Sequence, residues 1–367
     1  MNEYMKRAVE LAKRGVGAVN PNPLVGCVIV KDGRMIGEGY HAKYGDLHAE
    51  RNAIKNLTES AEGAEMYVTL EPCCHTGKQP PCVEAIVEQK IRKVYVGSDD
   101  PNEKVAGKGI TYLREHGIEV ETHVEKEACD ALNDVFFHYI TKKTPYVVMK
   151  YAMTMDGKIA AYTGESKWIS GERSRARVQE MRNELTGIMV GIGTVMKDDP
   201  LLTCRHPGGR NPVRIVCDTH LMTPMFSQLV KTADKVRTVI ACGDPVMYDP
   251  EGEHHVEELN NRGIEVVTVP LLGDHLDLSA LMIKLGTMEI DGILLEGGGA
   301  LNWSMTEQDL VNEVRIFLAP KLMGGRDAKT PVEGTGFEHP DLAKKFTLVS
   351  EERIDEDIYL RYKRRDI

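Results

Sequence analysis

The sequence has no long run of basic residues. Of its 367 residues, 46 are Lys or Arg and 56 are Asp or Glu, a net charge of −10. A protein that binds by neutralising phosphates along a nucleic-acid backbone is usually basic. The balance argues against a nucleic-acid partner, although a local basic group can still hold one small phosphate. No apolar stretch approaches the roughly 20 residues of a membrane span, which argues against a membrane partner. An uninterrupted apolar segment is also missing from residues 1–15. There Tyr4, Met5, Ala8, Leu11 and Ala12 recur at helical spacing among Lys6, Arg7, Glu10, Lys13 and Arg14. This reads as an amphipathic helix and not as a signal peptide. The eight cysteines form no disulfide framework: Cys27, Cys129, Cys204, Cys217 and Cys242 are scattered, and only Cys73, Cys74 and Cys82 cluster. A cytoplasmic chain with reduced thiols is expected. Internal repeats and low-complexity tracts are absent as well.

Apolar and charged residues, 42% and 28% of the chain, have the proportions of an ordinary globular protein. The length suits two domains, at roughly 150 residues each. In the first half, strands are expected at residues 25–30, 35–41, 65–71, 93–98 and 118–122. The Asp32-Gly33 pair marks a hairpin turn between the first two. Helices are expected at 47–57, capped by Asp46, then just after Pro80-Pro81, and at 125–141. Thr144-Pro145 marks a boundary, giving domains 1–144 and 145–367. The second half alternates strands at 146–152, 187–191, 213–218, 236–242, 264–269 and 292–296 with helices at 173–184, 256–262 and 278–288. The fold class is therefore α/β in both halves. The terminal Arg361-Tyr362-Lys363-Arg364-Arg365 reads as a solvated charged tail.

Chemistry concentrates in His48-Ala49-Glu50 and in Cys73, Cys74 and Cys82. One imidazole and two or three thiols can hold a zinc ion with a position open for water, whose pKa the metal lowers to about 7. His48 and Glu50 fall at one expected helix start and Cys82 at another. Helix starts carry unpaired N–H groups and partial positive charge, which favour thiolates. A closed structural site would need Cys74 or His75 as fourth ligand. Cys74 otherwise reads as a small packing residue, and the unclustered cysteines as interior thiols. In the second half, Gly297-Gly298-Gly299 follows an apolar strand and precedes an expected helix. Such a turn allows close backbone approach and offers a helix start to a phosphate. It is not G-x-G-x-x-G, so a Rossmann fingerprint is not supported.

The arrangement H-x-E followed by P-C and a later Cys resembles the cytidine-deaminase superfamily, in which the Glu shuttles protons and does not bind metal. The usual P-C-x-x-C is absent, because eight residues separate Cys73 from Cys82. With Asn20-Pro21-Asn22-Pro23-Leu24-Val25-Gly26 and Glu71-Pro72-Cys73-Cys74-His75-Thr76-Gly77, residues 1–145 resemble the riboflavin-pathway deaminases. The resemblance implies a three-layer fold, zinc on His48, Cys73 and Cys82, and Glu50 as general acid and base in hydrolytic deamination by zinc-activated water. It also implies a phosphorylated pyrimidine substrate, a diaminopyrimidinone joined to ribose 5-phosphate, lined by Asn22, His41, His75, Lys78, Asp100 and Asn102. His75 and Lys78 suit the phosphate.

From Pro145 onward, four stretches resemble the reductase domain of the bifunctional riboflavin-biosynthesis proteins. They are residues 149–160, 166–170, 191–205 and 294–301. This implies a dihydrofolate-reductase-like α/β domain that uses NADPH to reduce the ribosyl group of the deaminated product to ribityl. By position, Ala152, Trp168, Thr194, Asp198, Gly297, Gly298 and Gly299 would face the cofactor. Ser166, Arg182, Leu202, Arg205 and Glu296 would face substrate, with Arg182 and Arg205 as phosphate clamps. Lys150 and Asp199 are candidates for proton handling. Trp168 reads equally well as a core aromatic. Two other functions stand beside this one: a nucleic-acid-editing zinc deaminase with an accessory domain, and a zinc-stabilised binding protein. The acidic charge opposes the first and the carboxylate of Glu50 the second. Two sites in one chain leave a homo-oligomer neither required nor excluded.

Overall fold

A computed structural model describes residues 2–76, 79–103 and 105–365. It divides into two compact units, Met1–Lys143 and Thr144–Ile367.

In the first unit, strand β1 (Gly26–Lys31) alternates its side chains between two apolar layers, as period-2 geometry requires. Val28 and Val30 face helix α1 (Glu3–Ala12), where Met5, Ala8 and Leu11 form the inner stripe. Cys27 and Ile29 face the other layer. That layer contains α2 (Ala49–Lys55), α3 (Cys82–Glu88) and α4 (Lys108–Glu115), which supply Ala53, Ile86 and Leu113. The remaining strands are β2 (Arg34–Tyr40), β3 (Glu65–Leu70), β4 (Lys93–Ser98) and β5 (Glu119–Glu121). The sheet order is β2-β1-β3-β4-β5. The β1 pairings are antiparallel, whereas β3-β4 and β4-β5 are parallel. Gly39 lets α2 lie against β2, since a Cβ there would meet the Ala53 nitrogen at 2.3 Å.

Two expectations need correction here. The helix expected from residue 47 begins at Ala49, and its N-cap is His48, in extended backbone, not Asp46. The helix expected over 125–141 is two helices, α5 (Lys126–Asp130) and α6 (Asp134–Lys142). Between them, the Asn133 side chain accepts the Leu24 N–H at 2.8 Å and donates to the Leu24 carbonyl at 3.0 Å. That tie to a distant loop interrupts the helix.

The second unit is built on a sheet of order β10-β9-β8-β7-β13-β6-β14-β16-β15. Its central strands are β6 (Tyr146–Thr154), β7 (Gly187–Gly191), β8 (Val213–Cys217), β9 (Thr238–Gly243), β10 (Ile264–Val269) and β13 (Gly292–Gly297), all parallel to their neighbours. Helices α7 (Glu172–Glu184), α8 (Ile192–Asp198), α9 (Gln228–Lys231), α10 (Pro250–Asn261), α11 (Leu278–Thr287) and α12 (Gly299–Glu307) connect them. A small hairpin of β11 (Leu271–Leu272) and β12 (His275–Leu276) precedes α11. Ile188 and Val190 pack in one apolar cluster and Met189 in another, so β7 is buried on both faces. This is the sandwiched environment of parallel sheets.

The C-terminal strands were not anticipated. They are β14 (Glu313–Ala319), β15 (Phe346–Ile354) and β16 (Asp357–Arg364). Residues 361–364, expected in a solvated tail, lie in β16 and pair with β14 and β15. Their charges are matched there: Arg361 Nε donates to Glu313 at 2.9 Å, and Arg364 pairs with Asp309. No helix among the described residues is long and apolar enough to cross a membrane.

Candidate active sites

His48 ends its extended segment at the start of α2, and Cys82 is the first residue of α3. The loop between the cysteines returns on itself, because the Cys73 carbonyl accepts the N–H of Cys82 at 3.0 Å and of Val83 at 3.3 Å. Thus eight intervening residues still leave the two thiols adjacent. Arg51, which sequence reasoning passed over, ties α2 to this loop by donating to the carbonyls of Pro80 (3.2 Å) and Pro81 (2.7 Å).

His48 Nδ1 lies 3.4 Å from the Cys73 sulfur and 3.4 Å from the Cys82 sulfur. One donor atom from each of the three residues falls within 4.8 Å of the others. On a tetrahedral zinc, with Zn–N near 2.0 Å and Zn–S near 2.3 Å, nitrogen and sulfur ligands sit about 3.5 Å apart. The three donors fit such an ion. The Cys82 thiol, its backbone N–H at 3.4 Å and His48 hold the Cys73 sulfur towards thiolate.

Glu50 lies in the first turn of α2 and is only 3% exposed. Burial, then the negative Cys73 sulfur, push its carboxyl up to about 7. His41 is buried beside His48, with ring centroids 5.4 Å apart. Its Nδ1 faces the Leu47 carbonyl at 3.1 Å and its Nε2 the Asn22 side-chain nitrogen at 3.2 Å. Since a carbonyl only accepts, the proton sits on Nδ1 and Asn22 donates to Nε2. Burial also lowers the pKa of His41 and keeps it neutral. Asp100 accepts the Asn102 N–H at 2.8 Å, and burial raises its carboxyl to about 6. Among the described residues, the buried His75 Nδ1 has no hydrogen-bond partner, so it can serve a ligand. Lys78 lies outside the described residues.

The second unit gathers a different cluster. Lys150 on β6 and Glu296 on β13 project from neighbouring parallel strands, with Nζ 3.2 Å from the carboxylate. Arg182 on α7 donates to both Glu296 oxygens, at 2.7 and 3.0 Å, and to the Thr203 carbonyl at 2.8 Å. Burial opposes ionisation of Glu296, but Arg182 and then Lys150 outweigh it and hold the carboxyl at about 2. Arg182 is therefore committed to an ion pair, which leaves Arg205 as the stronger phosphate candidate. Among the described residues, no hydrogen bond or ion pair engages the Arg205 guanidinium, while its backbone N–H is fixed by Gln179 at 2.9 Å. Leu202 is buried in this loop with φ +49. Asp199 accepts the Gln228 N–H at 2.7 Å at the start of α9. That bond ties the loop to α9.

Thr194 Oγ1 donates to the Gly297 carbonyl at 3.3 Å and so joins the glycine turn. Gly298 has φ +91, in the region that favours glycine. A Cβ on Gly297 would meet the Asn302 amide oxygen at 2.6 Å, and that oxygen is buried with no partner among the described residues. An orphaned acceptor beside a glycine cradle at the start of α12 suits a ligand carrying hydroxyls and phosphates, as a dinucleotide does. Ser166 and Asp198 line one cavity of about 400 Å³ with Lys167 and Lys197. Ala152 lies on β6, in register with Phe317. Trp168 is 61% exposed, not a core aromatic.

Residues 1–98 match the cytidine and deoxycytidylate deaminase zinc-binding region, and residues 145–360 match the RibD C-terminal domain. The riboflavin biosynthesis protein RibD of Actinobacillus pleuropneumoniae is 52% identical over 360 residues, covering 98% of this chain and 94% of that protein. The chain belongs to the RibD family. Solved family structures share its fold. Acinetobacter baumannii RibD superposes with a TM-score of 0.87 at 34% identity, covering 99% of this chain and 98% of that one. A diaminohydroxyphosphoribosylaminopyrimidine deaminase/5-amino-6-(5-phosphoribosylamino)uracil reductase from Thermotoga maritima gives 0.84 at 38% identity, covering 98% and 97%. This RibD-family chain thus combines a cytidine-deaminase-like N-terminal unit with a RibD-type reductase unit.

Proposed function

We propose that the chain is a bifunctional riboflavin-biosynthesis enzyme whose residues 1–144 deaminate and whose residues 145–367 reduce. The substrate of the first step is 2,5-diamino-6-(5-phosphoribosylamino)pyrimidin-4-one. Water replaces its exocyclic amine and ammonia leaves. In the second step the ribosyl group of 5-amino-6-(5-phosphoribosylamino)uracil is reduced to ribityl. The observation that carries this reading is the convergence of His48, Cys73 and Cys82 beside the buried Glu50, in a chain matched to RibD along nearly its whole length. That whole-length match, with its reductase half, disfavours a nucleic-acid-editing deaminase.

His48 Nδ1 and the Cys73 and Cys82 sulfurs would hold the zinc, which when bound supplies Lewis acidity and lowers the pKa of water. Glu50 takes one water proton on its carboxylate and delivers it to the ring nitrogen, then carries the second, from the hydroxyl now on the ring carbon, to the departing amine, which leaves as ammonia. Its burial excludes solvent from that transfer. Asn22 is oriented by His41 so that its amide oxygen stays available to the pyrimidine. Asp100, Asn102, His75 and Lys78 complete the substrate contacts. In the reductase, Ala152, Trp168, Thr194, Asp198 and residues 297–299 would hold NADPH, whose chemistry when bound is hydride donation. Ser166, Leu202 and Glu296 orient the opened sugar, and Arg205 takes its phosphate. Lys150, ion-paired with Glu296, supplies the proton that accompanies reduction at the sugar C1.

The test is product analysis on zinc-loaded protein with the diaminopyrimidinone substrate, with and without NADPH. Ammonia release without NADPH, followed by NADPH consumption only after deamination, is expected. NADPH oxidation before ammonia appears would refute the proposed order.

A further inference from the structure

The turn that ends β6 carries Thr154, Asp156, Gly157 and Lys158, and the two reactions leave all four without a task. The Asp156 carboxylate accepts the Thr154 hydroxyl at 2.5 Å and the Gly324 N–H at 2.6 Å. Its two oxygens also lie 3.1 and 3.2 Å from the Met323 nitrogen. These bonds, the Thr154 hydroxyl foremost, hold the carboxyl at about 2, so it stays an anion across the working pH range. Lys158 Nζ donates to the Ala328 carbonyl at 3.1 Å, and the Ile159 N–H to the Lys329 carbonyl at 2.9 Å. The irregular segment that follows β14 is thereby laced onto the end of β6.

Lys321 lies at the near end of that segment. Its carbonyl accepts the Met155 N–H at 2.9 Å, which fixes its backbone to the β6 turn. Its ammonium donates to two successive carbonyls, those of Trp168 and Ile169, each at 2.7 Å. Opposite, the Arg175 guanidinium stands 4.4 Å from the centre of the Trp168 ring and donates to the Ser170 carbonyl at 2.7 Å. An indole that is 61% exposed has little packing to define its position. Two cations define it instead: one by charge-assisted hydrogen bonds to its backbone, one by stacking on its face.

We propose that Asp156 and Lys321 are positioning residues of the reductase. Asp156 holds the turn at residues 321–324, and Lys321 holds the Trp168 backbone so that the indole forms one wall of the dinucleotide cleft. The inference rests on the reading of Trp168 as a cofactor residue. Both residues act through Trp168, and the distance from each to the ion-paired cluster of Lys150, Arg182 and Glu296 is bridged by no hydrogen bond among the described residues.

The experiment uses the full-length, zinc-loaded chain and measures KM for NADPH, kcat of reduction, ammonia release without NADPH, and thermal unfolding. Lys321→Met and Asp156→Asn are each expected to raise KM for NADPH about tenfold, the scale of a displaced binding contact, while kcat changes less than about twofold. Lys321→Arg, which keeps charged N–H donors, is expected to restore most of the loss. The double variant should resemble either single one, because both act on one contact. Ammonia release should stay at the wild-type value. Trp168→Ala separates the two layers of the argument. If it leaves KM for NADPH unchanged, the cofactor reading of Trp168 falls and the inference with it. If it raises KM while Lys321→Met and Asp156→Asn do not, the inference alone is overturned. It is overturned too if Lys321→Arg fails to rescue, or if ammonia release and unfolding fall in parallel with reduction.

Discussion

Glu71 precedes the Pro72-Cys73 pair, and its carboxylate caps a helix far along the chain. One oxygen accepts the N–H groups of Gly109 at 2.9 Å and Ile110 at 3.1 Å, and the other accepts the N–H of Gly107 at 2.9 Å. Helix α4 has no side-chain cap of its own: its N-cap is Gly107, in left-handed backbone. The first N–H groups of a helix need an acceptor, and an anion there is also favoured by the helix dipole. Gly109 makes the approach possible, since a Cβ on it would stand 2.1 Å from the Pro72 carbonyl. Replacing Glu71 with Gln preserves shape but turns one oxygen into an NH2 donor. In the better orientation the retained oxygen keeps Gly109 and Ile110, and the NH2 then confronts the Gly107 N–H. The loss is one charge-assisted, part-buried hydrogen bond, about 1.5–3 kcal/mol. The lost charge at the helix start adds about 0.3–1 kcal/mol. Glu71→Gln should therefore destabilise the N-terminal unit by about 2–4 kcal/mol and loosen the loop that carries Cys73. Urea unfolding, zinc release to a chelator and ammonia release would register this, with NADPH-dependent reduction of supplied uracil intermediate as the internal control. A Glu71→Gln protein that unfolds and retains zinc like wild type would refute the capping argument.

Further outcomes follow from the same geometry. Cys73→Ser and Cys82→Ser should lose zinc on dialysis, while Cys74→Ser should keep it, as metal analysis will report. Glu50→Gln should retain zinc and lose ammonia release; loss of the metal as well would make Glu50 a ligand. The Glu296 carboxyl is depressed to about 2 by Arg182 and Lys150 against the cost of burial. Its contribution, on the order of 3 kcal/mol, is then fully present above the unfolded value near pH 4 and is lost as pH falls through about 2. The stability gap between wild type and Glu296→Gln, read by urea unfolding, should be flat from pH 7 to 5 and shrink below 4. Arg214 is fully buried and donates to Thr238, Thr232 and the carbonyls of Leu229 and Val236, with no carboxylate partner among the described residues. Arg214→Met should orphan those acceptors at a cost on the order of 3–5 kcal/mol, seen as a lower unfolding temperature of the C-terminal unit.

Much of the architecture was legible because its signals are local. Short, nearly continuous apolar runs mark β1 and β7 wherever they pack, and the Asp32-Gly33 turn needs only its own residues. His48, Glu50, Cys73 and Cys82 announce a chemistry through residue type and spacing alone. The reversals have long-range causes. The helix expected over 125–141 breaks because Asn133 bonds to Leu24, 109 residues away in sequence. The basic C-terminus becomes a strand because β14 lies open beside β6 and because Glu313 accepts Arg361. Arg182 looks free in sequence, and only the adjacency of β13 to α7 commits it to Glu296. Residue types and their spacing along the chain dictate which groups can bind metal, move protons or form a strand. Which of them meet, which charges cancel, and which buried N–H finds Glu71 depend on chain crossings of tens to hundreds of residues. Those contacts form only when separate segments are packed together, so no local pattern encodes them.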